Sequence, residues 1–199
     1  MGNNVSAILL AAGLSTRMGQ PKMLLPWGGT TVLGQVVSIF TAAGIEEIVV
    51  VTGGAREQVE KLVAELAKEF PVRPVFNPEF ARGEMLSSIQ VGLASLDTHT
   101  RAALIGLGDQ PQVLEETVRK ICTAFGQSGS LLVIPSFQKR RGHPWLAGRS
   151  LWSKIQALPI STTPRQFLNT HAGLVEYVPA DQSILQDVDT LEEYARQRP

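Results

Sequence analysis

Between Leu9 and Lys22 the chain reads Leu-Leu-Ala-Ala-Gly-Leu-Ser-Thr-Arg-Met-Gly-Gln-Pro-Lys: an apolar stretch, a loop of small residues, and two cations. Ala11, Ala12 and Gly13 carry little bulk to hold a ligand off the backbone, so successive N–H groups can face phosphate oxygens as an anion-binding nest. Arg17 adds a planar fork suited to phosphate and Lys22 a compact point charge, a combination that neutralises a polyanion. This is the chemistry of a triphosphate grip. It is not a Walker A loop, which needs Gly, four residues and then Gly-Lys-Ser/Thr, because Gly13 and Gly19 are spaced differently and Gln20 follows the second. The dinucleotide fingerprint fails as well. The competing reading is an ordinary glycine-rich turn with Arg17 and Lys22 in solvent.

Two acidic segments complement this loop. Leu107-Gly108-Asp109-Gln110-Pro111 puts a carboxylate directly after an apolar run, with proline fixing the turn. Magnesium takes one or two carboxylates plus phosphate oxygens and waters, so Asp109 reads as a metal ligand, or else as an Asx-turn or the cap of a helix near Val113. Asp187-Val188-Asp189-Thr190-Leu191-Glu192-Glu193 sets Asp187 and Asp189 on one face if extended. Asp189 or Thr190 also suits a helix N-cap closed by Glu192 or Glu193, and the two roles are compatible.

Such residues need strand ends to stand on. Val5 to Leu10, Ile48 to Thr52 and Ala102 to Leu107 are continuous apolar runs, as in strands buried on both faces. Between them, Val32, Val36, Val37 and Phe40 form one helical stripe and Val59, Leu62, Val63 and Leu66 another; Ile89, Leu93 and Leu96 suggest a third after a strand at Arg73 to Phe76. Later elements are a helix at Leu114 to Phe125 and strands at Leu131 to Pro135, Pro144 to Ala147 and Leu174 to Val178. Short helices are expected at Leu151 to Leu158 and Pro164 to Asn169, a last one from Thr190, and a basic loop from Ser136 to His143. The alternation predicts an α/β fold: one doubly wound, mostly parallel, Rossmann-like sheet with helices on both faces, spanning residues 1–199 as a single domain. In such sheets ligands sit beyond the carboxyl ends of the strands, where the loops at Ala11, Thr52 and Gly108 can converge.

Composition narrows the classes. With 199 residues, 44% of them hydrophobic, the chain can bury one core. Lys and Arg total 18 against 18 Asp and Glu, so no global field favours nucleic acid or an anionic membrane, and an anion site must be local. The lone Cys122 excludes an internal disulfide and a cysteine zinc site, fits a cytoplasmic setting, and reads as a structural thiol. No apolar run is long enough to span a bilayer. Myristoylation at Gly2 and a glycosylation sequon at Asn4 match only short patterns.

Taken in order, these motifs resemble the MobA/MocA-type nucleotidyltransferases, and among them the molybdenum cofactor cytidylyltransferase branch, with its LAAGxSxRMGxxK, GDxP and DxDTPED motifs. The resemblance covers essentially the whole chain. Leu10-Ala11-Ala12-Gly13 follows the cytidylyl pattern rather than the guanylyl LAGG. It implies transfer of CMP from CTP to the phosphate of a molybdopterin-type acceptor, with magnesium or manganese as cofactor and a molybdoenzyme as possible client. Leu10, Ala11, Ala12, Gly13 and Arg17 would hold the nucleotide phosphates, Lys22 the α-phosphate, and Asp109 with Asp189 the metal, Asp187 standing in reserve. Asn77, Ser87 and Ser88 match the base-reading segment, although from their own pattern the serines read as a helix start. Gly142-His143-Pro144 matches the loop near the acceptor, beside a Lys139-Arg140-Arg141 run that is either solvated or a grip for the acceptor's phosphate. Alone, His143 reads as a satisfied loop residue; Trp27, Trp145 and Trp152 suit packing better than stacking on a pterin.

The tail lacks the family's proline and final aspartate, and Glu84-Met85-Leu86-Ser87-Ser88 replaces Gly-Met-Ser-Ser-Ser. Alternatives within reach are transfer to a sugar phosphate or other small phosphoester, a nicotinamide-dependent oxidoreductase in the same crevice, and a non-catalytic carrier of a cofactor.

Overall fold

The structure is a computed structural model that describes residues 4–13, 18–82 and 85–199. The first half alternates as expected: β1 (Val5–Ala11), a small hairpin of β2 (Pro26–Trp27) and β3 (Thr30–Thr31), α1 (Val32–Ala42), β4 (Ile48–Thr52), α2 (Arg56–Leu66), β5 (Val72–Phe76), α3 (Met85–Ser95) and β6 (Ala102–Leu107). The second half holds α4 (Glu115–Ser128), β7 (Leu132–Phe137), β8 (Arg140–Arg141), β9 (Trp145–Gly148), α5 (Trp152–Gln156), α6 (Pro164–Thr170), β10 (Val175–Pro179) and α7 (Leu191–Gln197). The main sheet has eight strands, seven in the order β10-β7-β9-β6-β1-β4-β5 and β8 paired to β7.

The apolar runs are continuous because the sheet is covered twice. Ala7, Leu9 and Ala11 of β1 face a core with Leu33, Val36, Val37 and Phe40 of α1, Val59 and Val63 of α2, and Val118 and Ile121 of α4. The intervening Ile8 and Leu10 face the opposite core, with Leu86, Ile89 and Leu93 of α3, Trp152 and Ile155 of α5, and Phe167 and Leu168 of α6. The period of two in a strand sends alternate side chains to each layer, and burying one such aliphatic side chain contributes about 1.5–3 kcal/mol.

β1 pairs in parallel with β4 and β6, and β4 with β5, whereas β9 lies antiparallel between β6 and β7. The β7-to-β9 connection is too short for the helical crossover that a parallel return requires. That connection is not a plain basic loop. Ser136 and Phe137 pair with Arg141 and Arg140, and Gln138 and Lys139 make the turn at φ 49° and 65°. Positive φ at both central positions matches strand twist, so the turn presents its cations on a ribbon. The helix expected from Leu151 to Leu158 is instead a 3₁₀ turn, Arg149–Leu151, followed by α5.

A third apolar cluster, Met18, Leu25, Trp27, Val32, Val188 and Tyr194, packs the small hairpin against α7. Tyr194 stacks obliquely on Trp27 at 6.3 Å and donates its hydroxyl to the Pro26 carbonyl at 2.5 Å. Among the described residues no helix is long and apolar enough to cross a membrane.

Candidate active site

Because β1, β4, β5 and β6 run parallel, their carboxyl ends open on one edge of the sheet. Backbone bonds lace the loops there: Gly108 N donates to Leu10 O at 3.0 Å, Gly54 N to Ala12 O at 3.2 Å and Asn77 N to Thr52 O at 3.0 Å. Leu10 and Ala11 are buried, Ala12 half-buried and Gly13 exposed, so the chain surfaces where the small residues begin. Leu10 thus meets the site through its backbone while its side chain fills the core. Arg17, predicted to grip phosphate, lies outside the described residues, as do Leu14 to Thr16.

Gly53 is a site residue that sequence patterning missed. A Cβ there would stand 2.4 Å from the Ala12 carbonyl oxygen and 2.8 Å from Ala12 Cα, and backbone yields less readily than a side-chain tip. Gly53→Ala should therefore displace the Ala12–Gly13 loop at a cost of about 1–3 kcal/mol, seen as a lower urea midpoint and weaker binding of a nucleoside triphosphate.

Lys22 opens a 3₁₀ turn, Lys22–Leu24, and its ammonium meets two carboxylates from distant segments. Nζ contacts Asp109 Oδ2 and donates to Asp189 Oδ1 at 2.8 Å. The side chains of Lys22, Asp109 and Asp189 are 14%, 10% and 26% exposed, so this triad is shielded from bulk water. Burial alone would lower the Lys22 pKa, but the charge and hydrogen bonds of Asp109 and then Asp189 outweigh it and raise the pKa above the ordinary lysine value. Burial raises the Asp187 pKa, and the nearby charges of Asp109 and Asp189 add to it.

The tail is held there by backbone and cap. Val188 N donates to Asp109 O at 3.0 Å. Thr190 Oγ1 accepts from Glu193 N at 3.1 Å, and Glu193 Oε2 accepts from Thr190 N at 3.0 Å and Asp189 N at 3.1 Å. Thr190 therefore caps α7, which leaves the Asp189 carboxylate to Lys22. Asp109 likewise turns to Lys22, and α4 begins without a side-chain cap.

At the neighbouring strand end, Asn77 is fully buried and its Nδ2 donates to Ser87 Oγ and Ser88 Oγ, both at 2.9 Å. Its Oδ1 accepts from Glu79 N at 2.9 Å. This network ties the end of β5 to the first turn of α3, so Ser87 and Ser88 do start a helix while also facing Asn77.

Past α3 a cavity of about 690 Å³ opens between the β7–β8 hairpin and α6, its lining including Met85, Lys139, Arg140, His143, Trp145 and Arg165. Met85 begins α3, and Leu185, also in the lining, precedes Asp187 by two residues. Two of its lining residues thus lie two positions along the chain from Ser87 and from Asp187. Gly142 seats the hairpin: a Cβ there would meet the Ile184 carbonyl oxygen at 2.4 Å.

Residues 7–175 match the model of the MobA-like NTP transferase domain. The chain belongs to that family. It is 31% identical to nicotine blue oxidoreductase of Paenarthrobacter nicotinovorans over 96% of this chain and 95% of that protein. It is 29% identical to the molybdenum cofactor cytidylyltransferase of Escherichia coli K12 over 96% and 93% of the two chains. The solved structure of Rv0371c from Mycobacterium tuberculosis H37Rv superposes with a TM-score of 0.81 at 28% identity, covering 96% of each chain, and that protein has also been solved with manganese. The mostly parallel sheet flanked by helices is thus the MobA-like nucleotidyltransferase fold.

In this MobA-like chain the donor set suits a hard divalent cation. Asp109 and Asp189 already surround one positive group, and Asp187 is close enough to feel both. Among the described residues no group of three or more His, Cys, Asp or Glu side chains is placed to hold a metal ion; magnesium needs only one or two carboxylates, its other positions going to phosphate oxygens and water.

His143 is half-buried in the cavity wall, its backbone N donating to Ile184 O at 3.2 Å. Burial pulls its pKa down to about 4, so the imidazole is neutral near pH 7. A depressed histidine pKa means the unfolded chain takes up the proton first. Stability is then unaffected above pH 6.5 and falls as pH drops from 6.5 towards 4, by up to about 3 kcal/mol, an upper bound because the residue is only half-buried. His143→Gln should flatten this acid limb in urea denaturation series at pH 7 and pH 4.5.

The tryptophans take packing positions: Trp27 lies against Tyr194, Trp152 donates to the Ala147 carbonyl, and Trp145 is buried at the cavity edge. Cys122 is half-buried, and burial pushes its thiol up to about 11, which suits a structural role.

Proposed function

We propose that this nucleotidyltransferase moves CMP from CTP to the phosphate of a molybdopterin-type acceptor in the cytoplasm, and that a molybdoenzyme client receives the product. The observation that carries the reading is the Lys22 ammonium held between Asp109 and Asp189 at the strand ends, beside the small-residue loop. An acceptor phosphate oxygen attacks the α-phosphorus in line, the bond from the α-phosphorus to the α,β-bridging oxygen breaks, and the β- and γ-phosphates leave as pyrophosphate. The Ala11 to Gly13 backbone and Arg17 hold the β- and γ-phosphates and Lys22 the α-phosphate, so catalysis is positioning plus charge neutralisation. Magnesium, for which manganese can substitute, would be held by Asp109 and Asp189 and would offset the charge on the phosphates. The Ser87 and Ser88 hydroxyls, held by Asn77 Nδ2 at the end of β5, are assigned to the base of the nucleotide. The acceptor occupies the basic cavity next to His143.

Titrating the four nucleoside triphosphates with magnesium, then measuring pyrophosphate on adding molybdopterin or a panel of sugar phosphates, tests donor and acceptor together. CTP with molybdopterin should give the fastest release. Equal release with a sugar phosphate would reassign the acceptor, and CTP binding without turnover would favour a carrier. The 31% identity to an oxidoreductase supports a second reading, reuse of the crevice for a nicotinamide cofactor. NADPH oxidation with a dye acceptor and no pyrophosphate formation would select it.

A further inference from the structure

The run Lys139-Arg140-Arg141 does not act as one patch. Arg141 is committed within the protein: Nε donates to Tyr177 Oη at 2.8 Å, a terminal NH donates to Asn169 Oδ1 at 2.8 Å, and the guanidinium lies 5.5 Å from the Tyr177 ring centre. These bonds join β8 to α6 and β10, so one side chain ties the two walls of the cavity together. Lys139 and Arg140 are exposed on the hairpin wall, and Arg165 is exposed on the α6 wall. Among the described residues none of these three has a carboxylate partner, and no acidic side chain lines the cavity. Of the apolar lining residues Met85 is exposed, while Trp145 and Leu168 are buried at the cavity edge.

We propose that Arg165 is a specificity-determining phosphate ligand for the acceptor, gripping it against Arg140 and Lys139 from the opposite wall, while Arg141 is a positioning residue that fixes the width of the gap through Asn169. This rests on the reading of the cavity as the acceptor site. It assigns phosphate selection to a residue outside the cationic run. The ligand class is a flat, largely apolar ring system carrying a phosphomonoester: the ring meets the apolar lining and the dianion is shared between guanidinium groups on two walls.

Riboflavin 5′-phosphate is a fluorescent probe of that shape, and riboflavin is its phosphate-free control. Anisotropy titrations with the wild-type chain should show the phosphorylated probe binding more tightly. Arg165→Ala should weaken the phosphorylated probe roughly 10- to 100-fold and leave riboflavin unchanged. Asn169→Ala, which frees the brace without removing a cation, should narrow the preference for the phosphorylated probe while the melting temperature stays close to wild type. Lys22→Met should bind both probes as wild type does, because Lys22 belongs to the nucleotide side. Equal binding of the phosphorylated probe by wild type and Arg165→Ala, loss of it in Lys22→Met, or no binding by wild type would each overturn the assignment. Pyrophosphate release from CTP is scored separately, so a chain that holds the probe through Arg165 yet releases none keeps this inference and loses the transfer reading.

Discussion

Asp109→Asn is expected to lower the rate of CMP transfer by roughly 10²- to 10³-fold, about 3–4 kcal/mol of transition-state stabilisation. The substitution keeps the shape of a side chain only 10% exposed and removes its charge, so the loss reports electrostatics rather than packing. Two effects add. The Lys22 ammonium loses its contact with the Asp109 carboxylate and keeps the one with Asp189, and a divalent cation loses a hard anionic ligand for which an amide oxygen is a poor substitute. The Val188 N bond to the Asp109 carbonyl does not involve the side chain, so the tail should stay docked and the thermal midpoint should move little. Steady-state pyrophosphate release, with manganese affinity followed by electron paramagnetic resonance, checks both parts. Near wild-type turnover with intact magnesium dependence would remove Asp109 from the mechanism.

Lys22→Met should produce a divergence that no purely structural role explains. Turnover falls by a similar 10²- to 10³-fold, because the cation assigned to the α-phosphate is gone. Divalent-cation affinity without nucleotide should rise, by about tenfold, because an ammonium no longer competes for Asp109 and Asp189. Burial, and after it the charges of Asp109 and Asp189, raise the Asp187 pKa even with Lys22 present. Unchanged or weaker manganese binding in the variant would mean that the carboxylates gather for Lys22 alone.

The order of strands and helices was legible because burial on both faces writes itself as unbroken apolar runs, and amphipathic helices as stripes. Val5 to Leu10 and Ala102 to Leu107 needed only this signal. The antiparallel seat of β9, between two strands that otherwise run together, was not legible, since register depends on what the connection can span rather than on the residues of the strand. The hairpin at Pro26–Thr31 is too short to show a period, and its strands hold two residues each. The chemistry divided similarly. Lys22, Asp109 and Asp189 could be named from local motifs and their sharing of one site followed from the resemblance, but the direct bond between Lys22 and Asp189 across 167 positions was not legible. Arg141, Asn169 and Tyr177 carry no shared pattern, and Gly53 is recognisable only from the carbonyl it nearly touches.

The distance along the chain between Lys22 and Asp189 has a thermodynamic consequence. A ligand seated among Lys22, Asp109 and Asp189 can be held only when the amino-terminal hairpin, the middle of the sheet and α7 are assembled at once, so its affinity is coupled to global rather than local unfolding. At a hundredfold excess over its dissociation constant such a ligand adds about 2.7 kcal/mol to the free energy of opening the molecule. Amide protons deep in β1 and β6, far from any phosphate, should exchange more slowly as the crevice fills.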